Sequence, residues 1–266
     1  MKVESIDQGQ IFDWGKTSED YSKYRQGYPA SFYELLKGFG IGLPGQRILD
    51  IGTGTGELAL SLASGGATVT GMDIAENQIK AARSMAQSRR LDIDFRVGTA
   101  EELPLNEGPF DVITASMCWH YFDKNKAVPR IYDLLSPSGK LLICSMYWLP
   151  YECELAMASE ELVKKYNPHW AGVGYRGLDE PKCYGWSNER FLLSTFHRYR
   201  VDVPYDIPGW QGRIRACRGV AASLTPDQVE SFDREHEELL RRLSRGTFNI
   251  THMIRIEVFE KNNPQN

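Results

Sequence analysis

The sequence predicts an α/β fold built on a doubly wound, parallel sheet, and three observations support this prediction. Short apolar runs alternate with helical patterns between residues 47 and 148. Breaks that contain Gly and Pro separate these runs. The chain has 266 residues, of which 42% are hydrophobic, and this is enough to bury a core. The five predicted strands of this region are residues 47–52, 68–74, 92–98, 110–116 and 140–148.

Helical patterns lie between these strands, as the crossovers of a parallel sheet require. They cover residues 57–64, 76–88 and 125–135. The pair Gly65 and Gly66 ends the first helix, and the segment 136–139, which contains Pro and Gly, ends the last.

The alternation lapses after residue 148. A predicted helix over 152–166 precedes an irregular segment rich in Gly and aromatic residues, and another helix is predicted near 188–196. The prolines within 199–208 favour a strand at the edge of the sheet. The last two elements are a helix from Thr225, with Pro226 at its first position and Gln228 completing a capping box, and a strand over 249–260.

These elements give seven strands, with helical insertions after the fifth and the sixth. The chain accordingly divides into residues 1–148, 149–187 and 188–266, and the last part contains a second insertion over 209–246.

Composition and charge exclude several classes of protein. The net charge of -4 offers no basic surplus for nucleic acid or anionic lipid. No apolar run reaches the ~20 residues of a membrane helix, and the first ten residues lack the apolar core of a secretion signal. The odd set of five cysteines without C-x-x-C spacing predicts neither disulfides nor a metal site, and a cytoplasmic location is expected. These cysteines are Cys118, Cys144, Cys153, Cys183 and Cys217.

A glycine-rich turn gives the most specific local signal. The first strand runs through Asp50 into Gly52, Gly54 and Gly56. Glycines at such a turn let backbone N–H groups approach a ligand closely, and the following helix favours its negative group. Asp73 ends the second strand, where a carboxylate is able to accept the two hydroxyls of a ribose. Both features suit either NAD or S-adenosylmethionine, and an ordinary tight turn with a helix cap is the structural alternative.

The spacing of the glycines separates the two cofactors. The dinucleotide pattern G-x-G-x-x-G requires Gly at position 57, which is Glu57 here. The dinucleotide pattern does not include an acidic residue two positions before the first glycine, whereas this chain has Asp50 there. The glycine spacing therefore favours S-adenosylmethionine over NAD.

Three segments in order, D-x-G-x-G-x-G, an acid closing the second strand, and A-E-x-L-P before F-D-V-I, resemble class I S-adenosylmethionine-dependent methyltransferases. The resemblance is specific over roughly residues 10–148. It implies a Rossmann-like sheet of seven strands whose last strand runs antiparallel. It also implies S-adenosyl-L-methionine as the cofactor.

The resemblance assigns cofactor roles to residues of these motifs. Gly52 and Gly54, in the motif that Asp50 opens, would lie against the methionine part. Asp73 would hold the ribose, and Ile74 would pack on the adenine. The residues expected at the adenine edge are Thr99, Ala100 and Glu101. Thr99 departs from the aspartate that is common in relatives, and its hydroxyl makes a weaker hydrogen bond than a carboxylate.

An aromatic segment precedes the sheet, with Tyr21, Tyr24, Arg25 and Tyr28 at i, i+3, i+4 and i+7 of a predicted helix. Thr17 and Asp20 resemble a capping box at its start, and Pro29 is expected to end it at Tyr28. One hypothesis is an amphipathic helix packed on the domain. The other, suggested by similar methyltransferases, is a lid in which Arg25 pairs with the methionine carboxylate and Tyr21 covers the sulfonium.

The fourth strand ends in A-S-M-C-W-H-Y-F-D, at the sheet edge where ligands bind. This places Ser116 near the cofactor and makes His120 the candidate general base for the acceptor. The alternative is that residues 119–122 only form a pocket wall. The segment lacks the Asn/Asp-Pro-Pro-aromatic motif of nucleic-acid methyltransferases, so DNA is not an expected substrate.

The two insertions are expected to select the acceptor. Trp210 and the arginines Arg213, Arg215 and Arg218 suggest a pocket for a small anionic molecule, because guanidinium pairs with carboxylate or phosphate. The alternative is a solvated stripe of arginines. The first insertion adds Trp148, Tyr166, His169, Trp170, Tyr175 and Arg176.

The sequence therefore predicts a methyltransferase that moves a methyl group from S-adenosylmethionine to a small molecule, without a nucleic-acid or membrane partner. Two other hypotheses stay open, namely an NAD-dependent oxidoreductase and a non-catalytic S-adenosylmethionine-binding protein. A third, an RNA-directed enzyme, would need a basic groove that the net charge does not suggest. The sequence sets neither the acceptor atom nor the oligomeric state.

Overall fold

A computed structural model describes residues 1–104, 107–181, 184–187 and 189–262. It contains a seven-stranded sheet with strand order β3-β2-β1-β4-β5-β7-β6. The first five strands are parallel neighbours and the last strand is antiparallel, as predicted. The strands are β1 (Arg47–Ile51), β2 (Thr68–Asp73), β3 (Asp94–Val97), β4 (Phe110–Ser116), β5 (Leu135–Trp148), β6 (Phe191–Tyr205) and β7 (Phe248–Lys261).

Eight α-helices accompany the sheet in the part of the chain that the structure describes. None of them is long and apolar enough to cross a membrane. They are α1 (Ser18–Tyr24), α2 (Ala30–Gly38), α3 (Glu57–Ser64), α4 (Glu76–Ser88), α5 (Lys124–Leu134), α6 (Glu154–Tyr166), α7 (Ile207–Arg215) and α8 (Pro226–Leu243).

The chain divides into two compact units. The first unit comprises Met1–Gln26, Met146–Asp179 and Tyr199–Ile254. The second unit comprises Gly27–Ser145, Glu180–Arg198 and Arg255–Asn266. Strands β1 to β4 lie wholly within the second unit.

The core of the second unit lies on the central strands. Strand β1 pairs with β2 on one side and β4 on the other, and it is buried from Ile48 to Ile51, as expected of a central strand whose two faces are both covered. Ile113 on β4 and Ile131 on α5 are fully buried in the same cluster. This core fixes the carboxyl ends of β1, β2 and β4, where the predicted site residues stand.

The core of the first unit is helical. Trp210 of α7 and Phe232 of α8 are fully buried. Gly212 lets α1 approach α7 closely, since a Cβ atom at this position would overlap the ring of Tyr24.

The helix predicted to end at Tyr28 ends instead at Tyr24, so this prediction was wrong. Arg25 is extended, and Tyr28 belongs to the segment before α2, a helix that the sequence analysis did not predict. The capping box of Thr17 was also wrong, because its hydroxyl donates to the carbonyl of Trp14, 2.9 Å away, instead of capping α1. A 3-10 helix (Trp14–Thr17) leads directly into α1 and replaces that cap.

The helix predicted near 188–196 was wrong as well, because β6 begins at Phe191. Burial alternates along this strand, and the pairing with β7 overrides its local helical preference. Its position at the end of the strand order confirms the edge predicted from its prolines. The capping box of Thr225 and Gln228 at the start of α8 is confirmed.

Candidate functional site

The glycine-rich turn connects β1 to α3 in the second unit. Gly52, Gly54 and Gly56 have φ values of +66°, +58° and +83°, a region that side-chain-bearing residues rarely adopt. A Cβ atom on Gly52 would also come within 2.6 Å of the Sγ atom of Cys118. Glycine is thus required here by the backbone and, at Gly52, by its neighbour as well.

Asp50 holds this turn from within the core. The side chain is 1% exposed. The hydroxyls of Thr53 and Thr114 each donate to one of its carboxylate oxygens over 2.6 Å. Burial raises the pKa of Asp50 to about 6 despite these two hydrogen bonds. These two hydrogen bonds fix the position of Thr53 in the turn relative to β4, and the role of Asp50 toward a cofactor stays a prediction.

Asp73 lies at the end of β2 and faces the same turn. The backbone N–H of Gly54 donates to its Oδ2 atom, and the N–H of Ala75 donates to its Oδ1 atom, both over 2.9 Å. Each carboxylate oxygen therefore keeps a lone pair for a further donor. Burial raises the pKa of this carboxyl group, and the backbone N–H groups of Ala75, Gly54 and Ile74 oppose that shift. Helix α4 is capped by Ala75, so Asp73 is not its N-cap.

The predicted adenine residues follow β2 and β3. Ile74 is 49% exposed, which is unusual for an isoleucine beside a buried strand end. Thr99 precedes a short 3-10 helix (Ala100–Glu102), and its side chain makes no capping hydrogen bond. Ala100 is buried, while Glu101 accepts a hydrogen bond from the backbone N–H of Asp123 over 2.8 Å.

Ser116 ends β4 and contacts a residue that the sequence analysis did not assign to the site. Its hydroxyl lies 2.9 Å from the hydroxyl of Tyr28, whose ring stacks on Phe32 with 3.9 Å between ring centroids. The next residue, Met117, has a φ of +61°, which is uncommon outside glycine and occurs at functional turns. No local signal identifies Tyr28, because its contact with Ser116 joins residues 88 positions apart along the chain.

His120 lies in a short 3-10 helix (Trp119–Tyr121) that follows β4. Its side chain is exposed, and its ring lies 4.0 Å from that of Tyr121 between centroids. Trp119 instead packs on Trp186 and Phe122, so part of this segment forms the expected wall. The role of His120 as a base stays a prediction.

Tyr21 and Arg25 belong to the first unit. The guanidinium of Arg25 lies 4.5 Å from the ring centroid of Tyr21, and Tyr21 also meets Trp14 edge to face. Tyr24 packs on Gly212. Within this unit the segment is therefore a packed aromatic helix, and its action as a lid stays a prediction.

The three arginines of the second insertion differ in their partners. Arg215 pairs with Asp20 and Asp233, and Arg218 pairs with Asp7. The side chains of these two arginines are 23% and 11% exposed, so they form structural ion pairs and not a solvated stripe. Arg213 is 7% exposed and forms no ion pair with any residue that the structure describes.

The described residues contain no cluster of metal-ligating side chains. Within the described ranges, no three His, Cys, Asp or Glu side chains are grouped to hold a metal ion. The described cysteines, of which Cys118, Cys144 and Cys217 are buried, are free thiols, and Cys183 lies outside the described residues.

Comparison with known proteins matches one family to the part of the chain that contains the glycine turn, Asp73 and Ser116. Residues 49–143 match the family described as "Methyltransferase domain". The chain is 40% identical over 101 residues to demethylmenaquinone methyltransferase from Thermus thermophilus, covering 37% of this chain and 46% of that protein. It is 34% identical over 128 residues to ubiquinone biosynthesis O-methyltransferase from Xanthomonas euvesicatoria, covering 47% and 54%. The matches thus span about half the length of these curated relatives.

Solved structures agree on the fold. A protein from Bacillus halodurans C-125 that is assigned as a methyltransferase gives a TM-score of 0.55 at 16% identity, over 88% of this chain and all of that one. The YcgJ protein from Bacillus subtilis gives 0.53 at 20% identity, over 86% and 97%. At these identities the likeness extends to the Rossmann-like fold alone.

Proposed function

Because residues 49–143 form a methyltransferase domain, we propose that this protein transfers a methyl group from S-adenosyl-L-methionine to a small-molecule acceptor. The single observation that carries the proposal is the juxtaposition of the positive-φ glycine turn with Asp73, joined by the hydrogen bond from Gly54. The turn supplies close backbone approach, and Asp73 supplies an acceptor for ribose hydroxyls.

The described residues fit the chemistry of an adenosyl group. Asp73 keeps acceptor capacity on both of its carboxylate oxygens. Ile74 offers an exposed apolar surface for a flat base. The hydroxyl of Thr99, which caps nothing, is available to the adenine edge beside Ala100 and Glu101. S-adenosylmethionine supplies an electrophilic methyl group when bound, so the protein need only align the acceptor and remove its proton where it has one.

The residues at the end of β4 provide that alignment in our proposal. The hydroxyls of Ser116 and Tyr28 lie within hydrogen-bond distance of each other at the end of β4, and β4 pairs with β1, the strand that leads into the glycine turn. Either hydroxyl is able to orient a polar group. His120, exposed after the same strand, accepts the proton of the acceptor. Tyr21 and Arg25 act as the lid over the methionine part. Asp50 supports the cofactor indirectly, by holding Thr53 in the turn.

A small acceptor is favoured over a macromolecule. The two relatives are named for demethylmenaquinone and for ubiquinone biosynthesis, which are small-molecule chemistries. The net charge of -4 gives no support for a nucleic-acid substrate. The acceptor is anionic and the location is cytoplasmic in this proposal.

Calorimetric titration tests the cofactor assignment. We expect S-adenosylhomocysteine to bind and NAD to give no heat at the same concentration. Transfer of labelled methyl to a panel of phenols, amines and carboxylic acids then tests the activity. Binding of NAD instead would overturn the proposal in favour of an oxidoreductase, and cofactor binding without transfer to any acceptor would favour the non-catalytic alternative.

A further inference from the structure

Arg213 is a buried cation that pairs with no carboxylate among the residues that the structure describes. It lies on α7 in the first unit and is 7% exposed. The guanidinium carbon lies 4.9 Å from the ring centroid of Trp148. Burial raises the pKa of the Tyr205 hydroxyl, and the nearby charge of Arg213 opposes that shift. Neither partner carries a negative charge. Burial of an uncompensated guanidinium is costly, so its retention suggests a partner that is not part of the chain.

The same helix shows what the chain does when an arginine has only a structural task. Arg215, two residues further on, holds Asp20 with two hydrogen bonds and Asp233 with a third. Arg218, shortly after the helix, holds the buried Asp7. Carboxylates of the chain thus neutralise both neighbours of Arg213.

The rings around Arg213 belong to Trp148, Tyr205, Trp210 and His252. Tyr205 is buried, and its ring lies 5.0 Å from that of Trp210, which is itself 5.5 Å from Trp148. His252, stacked at 6.2 Å from Tyr205, is 2% exposed. Burial lowers the pKa of His252 to about 4, and the charges of Arg213 and Arg25 contribute in the same direction. A second cation, Arg25, therefore acts on this cluster.

Glu160 hydrogen-bonds to Trp148 of this cluster, and both of its carboxylate oxygens already accept hydrogen bonds from within the chain. Glu160 accepts the indole N–H of Trp148 over 2.7 Å with one carboxylate oxygen. Its other oxygen accepts the backbone N–H of Gly174, also over 2.7 Å. Asp202, whose charge raises the pKa of His252 against the effect of burial, accepts a hydrogen bond from the hydroxyl of Thr251 over 2.8 Å. Neither carboxylate pairs with Arg213.

We propose that Arg213 and the hydroxyl of Tyr205 form a binding site for the carboxylate of a small organic acid, with the face of Trp148 as its apolar wall. A guanidinium and a carboxylate match in geometry and charge, and the aromatic residues favour an acid with an apolar or aromatic body. The identification of this acid as the methyl acceptor rests on the proposed function, whereas the site itself does not.

Direct binding tests the site without any cofactor. The probes are benzoate and its neutral counterpart benzamide, added to the full chain and followed by calorimetry and by tryptophan fluorescence, since Trp148 and Trp210 lie in the cluster. We expect benzoate to bind at least about tenfold more tightly than benzamide, which corresponds to one charge-assisted contact. Arg213→Met is expected to abolish this preference, and Tyr205→Phe to reduce it. Equal affinity of the two probes for the wild type, or an unchanged preference in Arg213→Met, would overturn the proposal.

Thermal unfolding distinguishes a ligand-binding arginine from a structural one. Arg213→Met is expected to keep or raise the melting temperature, because an apolar chain of similar length replaces an unneutralised charge. Arg215→Met is expected to lower it, and Arg234→Met, whose side chain is 69% exposed, serves as the matched charge control. A fall in Arg213→Met as large as that in Arg215→Met would make Arg213 a structural residue and refute the site.

The methionine carboxylate of the cofactor is the other possible source of this anion. S-adenosylhomocysteine carries that carboxylate, and methylthioadenosine lacks it. We expect Arg213→Met to leave the affinity for both unchanged. A loss for S-adenosylhomocysteine alone would assign the carboxylate to the cofactor and overturn the organic-acid assignment, while the proposed methyl transfer would stand.

Discussion

Asp20 accepts two hydrogen bonds from the guanidinium of Arg215, with 2.7 Å to its Oδ2 atom and 2.6 Å to its Oδ1 atom. The third contact of this guanidinium, to Asp233, is 2.8 Å long. One side chain of α7 thereby joins α1 to α8. The hydrogen bonds to Asp20 raise the pKa of Arg215, so the guanidinium stays charged at all ordinary pH values.

We predict that Arg215→Met lowers the free energy of unfolding by about 2–3 kcal/mol, because it leaves two partly buried carboxylates without a partner. Urea denaturation followed by circular dichroism measures this change. Arg234→Met removes only an exposed helix pair and should cost no more than about 0.5 kcal/mol. Equal effects of the two substitutions would contradict a structural role for the ion pair.

Asp73→Ala is predicted to weaken the binding of S-adenosylhomocysteine at least about tenfold, because each ribose hydroxyl loses a charge-assisted acceptor. Isothermal calorimetry gives the affinity. The variant also loses the acceptor for the N–H groups of Gly54 and Ala75, so its fold is checked by circular dichroism. Asp92→Asn, an exposed carboxylate after α4, is the control. Unchanged affinity in a folded Asp73→Ala protein would refute the cofactor site.

Gly52→Ala is predicted to destabilise the protein by at least about 1 kcal/mol, from the cost of a side chain at positive φ alone. Overlap of the new Cβ atom with the thiol of Cys118 adds to this cost. Gly185→Ala is the matched control, since a Cβ atom there meets nothing within 4 Å. Thermal unfolding compares the two variants, and a control that falls as far as Gly52→Ala would show that the turn geometry is unimportant.

Hydrogen exchange tests the lid. If Tyr21 and Arg25 cover the cofactor, the amides of residues 17–28 should exchange more slowly once S-adenosylhomocysteine is bound. Mass spectrometry of the free and bound protein measures the difference, with the amides of α8 as the internal reference. Equal protection of residues 17–28 in both states would leave α1 as a helix that only packs on α7.

Acid should destabilise the protein through His236. This side chain is fully buried, its Nε2 atom lies 2.9 Å from the hydroxyl of Ser159, and burial lowers its pKa to about 4. Between about pH 6.5 and pH 4 the unfolded chain binds a proton at this histidine that the folded chain does not bind. The free energy of unfolding therefore falls as the pH is lowered through this window, by up to about 1.4 kcal/mol per pH unit. His236→Gln should lose this share of the slope in urea denaturation across that window, whereas His169→Gln, at an exposed site, should retain it. Parallel slopes for wild type and His236→Gln would exclude this assignment.

Local pattern was sufficient for the central elements of the fold. The predicted helices over 57–64 and 76–88 coincide with α3 and α4, and the turn glycines have the positive φ values that their spacing indicates. Burial on both faces of β1 produced a continuous apolar run in the sequence. In contrast, residues 191–196 form a strand only because β7 pairs with them, and no local signal contains that partner.

The sequence by itself thus determined the alternating fold and the glycine turn with its acid, because these depend on periods and spacings within a few residues. Only the tertiary structure decided which arginines are neutralised. Asp20, one partner of Arg215, and Asp7, the partner of Arg218, lie 195 and 211 positions away along the chain, and no spacing rule connects residues so far apart. Their pairing leaves Arg213 as the buried guanidinium without a carboxylate among the residues that the structure describes, since electrostatic compensation depends on distances in space.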